Sequence, residues 1–161
     1  MGKIKKEMET YLKARKYLVL CTCSGDDLRA TSVTYEVGDD LQILIYSENY
    51  SKKFDLLKKN KKVALALHNE RKPYKGLQLW GIAEVITPDD PRHFECLPKA
   101  AKTSDKMVEA CKVLDLILVT PARIVMLDQG RQGGCYVLWE KDKKGNETER
   151  EADTAQEMSK L

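Results

Sequence analysis

The alternation of apolar and polar residues predicts a series of short β-strands behind one N-terminal helix. Apolar residues recur at helical spacing near the start of the chain: Ile4, Met8, Tyr11 and Leu12. This spacing predicts an amphipathic helix over residues 3–16. Strand-like runs separated by turn residues follow at 17–23, 29–37, 41–47, 62–68, 76–87, 114–120, 122–128 and 135–140. Many short strands with short turns favour a mostly antiparallel β-barrel or sandwich with a few short helices.

The segment YSENYSKKFDLLKKNKKVALAL, residues 46–67, changes period in its middle. A strand closes at Tyr46-Ser47, a short helix follows from about residue 52 to Asn60, and a buried strand comes after it. The strand 76–87 is long enough to bend. Gly81 inside that strand predicts a bulge or a close approach of another backbone.

The C-terminal segment is set apart by its charge. From Lys141 onward the chain has a DKKGN turn but no apolar periodicity. We therefore divide it into a single split-barrel domain over 1–140 and a charged hairpin and tail over 141–161. The tail is expected to contribute little to the core, because it has few apolar residues to bury.

Composition narrows the classes of protein. A chain of 161 residues fits one domain, and its net charge of +3 gives no general case for a nucleic-acid binder. No apolar run reaches the roughly 20 residues that span a bilayer, and the N-terminus lacks the apolar stretch of a signal peptide. Five cysteines without a disulfide pattern favour a cytoplasmic protein with reduced thiols.

Motifs of hydrolytic and phosphate-loop chemistry do not occur, since the sequence lacks GxSxG, GxxxxGK[ST] and GxGxxG. The two histidines, His68 and His93, fit surface or half-buried positions. Cys21 and Cys23 point to one face of a strand and would supply half of a metal site. Buried structural cysteines are the favoured interpretation, because the other three occur singly.

The helix that begins near residue 52 opens with two cations, Lys52 and Lys53. A helix N-terminus carries partial positive charge and disfavours lysine in its first turn. One interpretation is a solvated basic face. The other is an anion at the N-terminus, held by main-chain N–H groups, the hydroxyl of Ser51 and the two ammonium groups.

The order of these pieces resembles the FMN-binding split β-barrel of the pyridoxamine 5′-phosphate oxidase family. An aromatic–Ser pair ends a strand (Tyr46-Ser47), Ser-Lys-Lys begins a helix (51–53), the helix ends at Asn60, and a basic–Val–x–Leu strand follows (62–65). The later GIAEV (81–85) is similar to the family's Gly-x-Ala-Glu strand. The resemblance covers roughly residues 10 to 90.

The resemblance implies a split antiparallel barrel with FMN at the interface of a homodimer, and a small-molecule redox partner. Its phosphate would lie on Ser51, Lys52 and Lys53. Gln78 is on the strand where the family places a glutamine near the flavin ring, although nearer to Gly81 than in the oxidase. The implied cofactor-binding residues are Arg29, Thr31, Ser32, Val33, Tyr46, Ser47, Ser51, Lys52, Lys53 and Gln78.

The chain also departs from the oxidase. Arg29 falls upstream of the family's phosphate-binding arginine, Glu36 stands about where a lysine would be, and no Arg-x-His motif follows His93. We therefore expect a flavin-dependent oxidoreductase or flavin carrier with another substrate, in which the flavin does the chemistry. The alternative is a non-enzymatic module for another phosphorylated ligand, for F420 or haem, or for nucleic acid. Aromatic residues are only 7% of the chain, fewer than a nucleic-acid groove favours.

Overall fold

The computed structural model describes residues 2–70, 72–96, 108–109, 112–131 and 136–152. These residues form a mostly antiparallel β structure with a few short helices, which confirms the predicted fold class. The helices are α1 (Lys3–Lys13), α2 (Lys52–Lys59) and α3 (Arg92–Glu95), with a 3₁₀ turn at Asp39–Leu41. The strands are β1 (Tyr17–Ser24), β2 (Asp27–Thr34), β3 (Glu36–Val37), β4 (Ile43–Ser47), β5 (Lys62–His68), β6 (Lys75–Ile86), β7 (Asp115–Asp128), β8 (Tyr136–Lys141) and β9 (Glu147–Ala152).

The strands join in one sheet of order β2-β1-β5-β6-β7-β4-β3, to which β8 and β9 attach beside β7. Strand β7 pairs with β6 along its length. On its other side it pairs with β4 over residues 115–119 and with β8 over residues 123–127. The sheet therefore divides into two branches on β7. This division produces the split barrel.

The predicted strands 114–120 and 122–128 are one continuous strand. Pro121 stands between the two predicted strands, and a proline lacks the N–H that a ladder requires. In the structure Pro121 lies opposite Gly81, where the register between β6 and β7 shifts by one residue. The strand continues because the missing donor falls at the bulge.

The predicted close approach at Gly81 is confirmed. A Cβ atom built on Gly81 would lie 2.4 Å from the carbonyl oxygen of Thr120. Only a residue without a side chain allows the two strands to pack at this distance. The bulge and the glycine together let the long β6–β7 pair bend around the core.

Helices α1 and α2 cover the core of the barrel. Met8 and Leu12 of α1 are fully buried, and Phe54 and Leu57 of α2 belong to the same apolar cluster. Tyr35 secures the end of α1 by donating a hydrogen bond of 2.7 Å to the carbonyl of Leu12. Among the described residues, no helix is both long enough and apolar enough to cross a membrane.

The C-terminal segment contributes more than the sequence suggests. Its hairpin is present, and the carboxylate of Glu149 on β9 accepts hydrogen bonds of 3.2 and 3.0 Å from the main-chain N–H groups of Ile4 and Lys5. Glu147 accepts a bond of 3.2 Å from Nε1 of Trp139, whose side chain is fully buried. The expectation that this segment adds little is therefore wrong for residues 147–152. The boundary at residue 140 stays a prediction.

A charged cluster reinforces this contact between α1, the 3₁₀ turn and the terminal hairpin. Asp40 bonds to both Lys5 and Lys141, and Lys5 also bonds to Glu147 at 2.8 Å. The hydrogen bond from Lys141, followed by that from Lys5, lowers the pKa of Asp40 to about 2. The cluster therefore keeps its negative charges at any ordinary pH.

Candidate functional site

The first turn of α2 brings Ser51 and Lys53 together. Ser51 occupies the N-cap position, and its hydroxyl does not cap the first-turn amides in the described chain. It accepts instead a hydrogen bond of 2.7 Å from Nζ of Lys53. Main-chain N–H groups, a hydroxyl and an ammonium group thus converge at one helix end. This is the donor set that an oxyanion requires.

Lys53 carries a buried charge. Its side chain is only 8% exposed, and its ammonium takes part in none of the ion pairs among the described residues. Burial lowers the pKa of Lys53, and the charge of Glu48, beyond ion-pair distance, opposes this shift without cancelling it. An anion beside the ammonium would restore the stability of its charged form.

Lys52 lies in a different environment from Lys53. It is exposed and borders a surface groove of about 330 Å³ together with Asp27 and Asp55. Asp27 also accepts a hydrogen bond of 3.2 Å from Nε of Arg29. Asp27 is therefore bonded to Arg29 and would compete with any anion for it, and Lys52 lines the same groove. The predicted phosphate site uses both lysines, whereas the structure buries only Lys53.

The predicted residues of β2 divide between two faces of the sheet. Thr31 and Val33 lie opposite the buried Leu20 and Leu18 of β1, so their side chains share the inner face. Ser32 lies opposite Val19 on the outer face and is exposed. Because β2 is the edge of the sheet, its main chain on the outer side is open to further hydrogen bonds.

Tyr46 and Ser47 end β4 directly before α2, as predicted. The ring of Tyr46 meets His93 edge to face, with ring centres 5.7 Å apart and planes at 79°. His93 is 4% exposed, and its Nε2 donates a hydrogen bond of 2.9 Å to the carbonyl of Leu114. The expectation of a surface or half-buried His93 is wrong, because α3 packs this side chain against β4.

Gln78 lies apart from α2, on the outer face of β6. The paired residues Ser32, Val19, Ala66 and Gln78 form one row across four adjacent strands. Three inter-strand steps separate Ser32 from Gln78, about 14 Å at the usual strand spacing. The structure therefore brings Ser51 and Lys53 together at α2, whereas Gln78 shares the outer face with Ser32 of β2.

Three cysteines lie within the described residues: Cys21, Cys23 and Cys96. Cys21 and Cys23 are half-buried free thiols, so the favoured interpretation of fully buried cysteines is wrong for this pair. Asn60 donates a hydrogen bond of 3.4 Å from Nδ2 to Sγ of Cys23. Within the described ranges, no three side chains of the metal-binding types lie close enough to hold an ion together.

Comparison with known proteins identifies the family. The model of the pyridoxamine 5′-phosphate oxidase family matches residues 4–124 of this chain. The chain belongs to the pyridoxamine 5′-phosphate oxidase family. The match extends from α1 into β7 and includes all ten predicted site residues. The search among curated proteins finds no match.

Solved structures share the fold at low sequence identity. An FMN-binding protein related to pyridoxamine 5′-phosphate oxidase from Nostoc punctiforme has a TM-score of 0.71 at 12% identity, over 95% of this chain and 98% of its own. PhzG from Burkholderia lata, solved with tetrahydrophenazine-1-carboxylic acid, has a TM-score of 0.65 at 14% identity, over 93% and 90%. The haem storage protein HutZ from Vibrio cholerae has a TM-score of 0.60 at 14% identity, over 74% and 91%. These likenesses establish the fold of the family.

Proposed function

We propose that this chain is an FMN-binding flavoprotein and an oxidoreductase of the pyridoxamine 5′-phosphate oxidase family. The observation that carries the proposal is the buried ammonium of Lys53, which meets the hydroxyl of Ser51 at the N-terminus of α2. A dianionic phosphate would replace the solvation that the ammonium has lost, and it would accept hydrogen bonds from the main-chain N–H groups of Lys52 and Lys53. FMN binding in the Nostoc punctiforme protein supports the choice of phosphorylated ligand.

The other predicted residues suit a flavin that extends away from α2. Main-chain groups of Thr31 to Val33 and the pair Tyr46-Ser47 would hold the ribityl chain and one side of the ring. When bound, FMN supplies the redox chemistry, and this chain supplies its phosphate anchor and orientation. The sequence lacks the Arg-x-His motif, so we still predict a substrate other than pyridoxamine 5′-phosphate.

The outer face of the sheet suits a homodimer with the cofactor at its interface. Large apolar side chains are exposed there: Tyr17 is 64% exposed, Val19 37% and Ile82 48%. Exposed apolar side chains on one face favour association. A second copy on this face would cover Gln78 and bring it into a site shared by both chains.

The test is a titration of the purified protein, freed of any bound ligand, with FMN, riboflavin, F420 and haem. We expect FMN to bind more tightly than riboflavin, because only FMN carries the phosphate, and we expect sedimentation to show a dimer. Preferential binding of haem or F420 would replace the proposal with the corresponding alternative. Equal affinity for FMN and riboflavin would remove the phosphate site on which the proposal depends.

A further inference from the structure

Two thiols lie side by side on the outer face of β1, and the proposed flavin site makes no use of them. Cys21 and Cys23 are two positions apart and alternate with Leu20 and Thr22, which are buried on the inner face. Both cysteines are free and half-buried. Because successive side chains of a strand point to opposite faces, the two sulfurs share one partly accessible surface.

The spacing of this pair prevents a disulfide but suits a single metal ion. A strand rises by about 3.3 Å per residue, so the two Cβ atoms are roughly 6.6 Å apart. A disulfide requires Cβ atoms about 3.5–4.5 Å apart. An ion held between two thiolates in a line separates the sulfurs by about 4.6 Å, at about 2.3 Å for each metal–sulfur bond. Each Cβ–S bond then has to lean inward by only about 1 Å.

Small neighbours on both sides leave room for an ion at Cys21. This residue lies opposite Ala30 of β2 and opposite Ala64 of β5. Ala30 is exposed and Ala64 is half-buried. Because the side chain on each neighbouring strand is a single methyl group, the sulfur of Cys21 can be reached from solvent.

Asn60 aims a hydrogen-bond donor at the second sulfur. Its Nδ2 donates a hydrogen bond of 3.4 Å to Sγ of Cys23. Its Oδ1 accepts a hydrogen bond of 3.1 Å from the main-chain N–H of Lys62, which fixes the end of the amide that faces the sulfur. A donor held in this way stabilises the negative charge of a metal-bound thiolate and orients it.

Lys62 adds a positive charge beside the pair. It is exposed and is the next outward residue of β5 after Ala64, so the register between β1 and β5 places it next to Cys23. Two thiolates around one monovalent cation carry one net negative charge. A neighbouring ammonium stabilises such a complex.

We propose that Cys21 and Cys23 together bind one Cu(I) ion as a two-coordinate dithiolate. Thiolates favour this soft ion, whereas structural Zn(II) requires four ligands. Within the described ranges, no third side chain of the metal-binding types joins the pair. On binding, two S–H bonds break, two Cu–S bonds form and two protons pass to solvent, with no change of oxidation state. The site does not rest on the proposed flavin function.

The test is an anaerobic titration of the flavin-free full chain with Cu(I), in competition with the chromogenic chelator bathocuproine disulfonate. We expect one tightly held ion per chain, which Cys21→Ser and Cys23→Ser should each lose. The double variant Cys23→Ser/Ser24→Cys keeps the number of thiols but places them on opposite faces of β1, so it should also lose the ion. Serine at each of the other cysteines should leave the ion in place: Cys96, Cys111 and Cys135.

The neighbours of the pair give a second set of variants. Asn60→Ala and Lys62→Met should each weaken Cu(I) binding severalfold, because they remove the donor and the cation. The exposed control Lys144→Met, in the turn between β8 and β9, should have no effect. A large excess of Zn(II) should not displace Cu(I). The melting temperature of each variant verifies that it is folded.

Several results would overturn the proposal. Full Cu(I) binding by the double variant would show that any two thiols suffice, and unchanged binding in both Asn60→Ala and Lys62→Met would remove the site as described. One ion for two chains would mean that a second copy supplies ligands. Displacement of Cu(I) by FMN would make the pair part of the cofactor site.

The same protein separates this inference from the flavin proposal. Lys53→Met should weaken FMN without weakening Cu(I), whereas Cys21→Ser should lose Cu(I) and keep the preference for FMN over riboflavin. If Cu(I) binds as expected and FMN does not, the thiol site stands and the flavin proposal fails. If FMN binds and Cu(I) does not, the reverse holds.

Discussion

Replacing Lys53 with methionine tests the phosphate site directly. Methionine keeps the length and apolar character of the lysine stem, which packs in a position that is 8% exposed, and removes only the ammonium. Alanine would also leave a cavity and confuse loss of charge with loss of packing. The variant Lys53→Met therefore isolates the charge and its hydrogen bond to Ser51.

The expected loss of FMN affinity follows from one charge-assisted hydrogen bond to phosphate. Such a bond contributes roughly 1.5–3 kcal/mol. Since each 1.4 kcal/mol is tenfold in affinity, Lys53→Met should weaken FMN by roughly ten- to a hundredfold. Riboflavin has the same ring without the phosphate, so its affinity should barely change. Lys52→Met should have a smaller effect, because Lys52 is exposed and already borders Asp27 and Asp55.

The stability of the ligand-free protein gives an independent measurement. The pKa of Lys53 is lowered by burial, so the unfolded chain binds its proton more tightly than the folded chain does. Wild-type stability should therefore rise as the pH increases from that lowered pKa toward the ordinary value of 10.5, and Lys53→Met should lack this rise. At pH 7 the variant should unfold in urea no earlier than wild type.

Flavin fluorescence titrations and urea unfolding check these expectations, with Lys58→Met at the other end of α2 as the matched control. Equal losses of FMN and riboflavin affinity would mean that Lys53 acts through the fold. If neither flavin loses affinity, both lysines belong to the solvated basic face, which is the other interpretation of this helix N-terminus. If Lys53→Met lowers the stability of the ligand-free protein, groups of the folded chain already stabilise the charged ammonium.

Four further predictions concern the fold. Gly81→Ala should lower the free energy of unfolding by about 1–3 kcal/mol, because its Cβ would meet a main-chain oxygen of β7 at 2.4 Å, whereas in the control Gly76→Ala the nearest atom is 3.9 Å away. Glu149→Ala should cost about 0.5–2 kcal/mol in urea unfolding, since it removes the acceptor for the N-terminus of α1. Truncation after Glu140 should destabilise the protein strongly or make it insoluble, because it removes β9. Stability should fall as the pH drops from about 4 to about 2, as Asp40 is protonated, and Asp40→Asn should remove roughly 1 kcal/mol of this dependence once solvent screening is allowed for.

Different results would contradict three of these arguments. Equal stability of the two glycine variants would mean that β6 and β7 can separate at the bulge without cost. A soluble truncated protein with wild-type stability would mean that the terminal hairpin is the loose tail expected from sequence. An unchanged acid transition in Asp40→Asn would show that the pair with Lys141 is broken in solution.

The predicted strands could be found because each carries its own apolar pattern. The prediction errors arise where contacts between residues distant in the chain determine the structure. In the sequence alone, Pro121 predicts that the strand is interrupted. The structure places it opposite Gly81, 40 positions earlier, and the strand continues. The segment ETEREA has no apolar alternation, yet Glu149 bonds to Ile4 and Lys5 across the whole length of the chain. No local pattern can indicate a pairing of this kind, because its donors are main-chain N–H groups and its acceptor, Glu149, looks like a solvated surface residue.

The candidate site likewise has contacts that could be predicted from local sequence and contacts that could not. Ser51 and Lys53 are two positions apart, so their meeting follows from one helix turn and could be foreseen. The burial of His93 against Tyr46 and the stacking of Arg15 on Tyr11 depend on how α3 and α1 pack. The sequence KARKY does not indicate which of its cationic side chains contacts other groups of the protein and which does not.

The difference between Lys52 and Lys53, however, was present in the sequence. Lys53 precedes Leu56 and Leu57 by three and four positions, the spacing that puts side chains on one face of a helix. Lys52 precedes Asp55 by three positions and Leu56 by four, so it lies at the border between the polar and apolar faces. Helical periodicity alone therefore assigns Lys53 to the buried face. A lysine at a core-facing position of a first turn loses hydration of its ammonium, and an anion bound there would compensate for that loss. The proposed phosphate site therefore depends more on Lys53 than on Lys52.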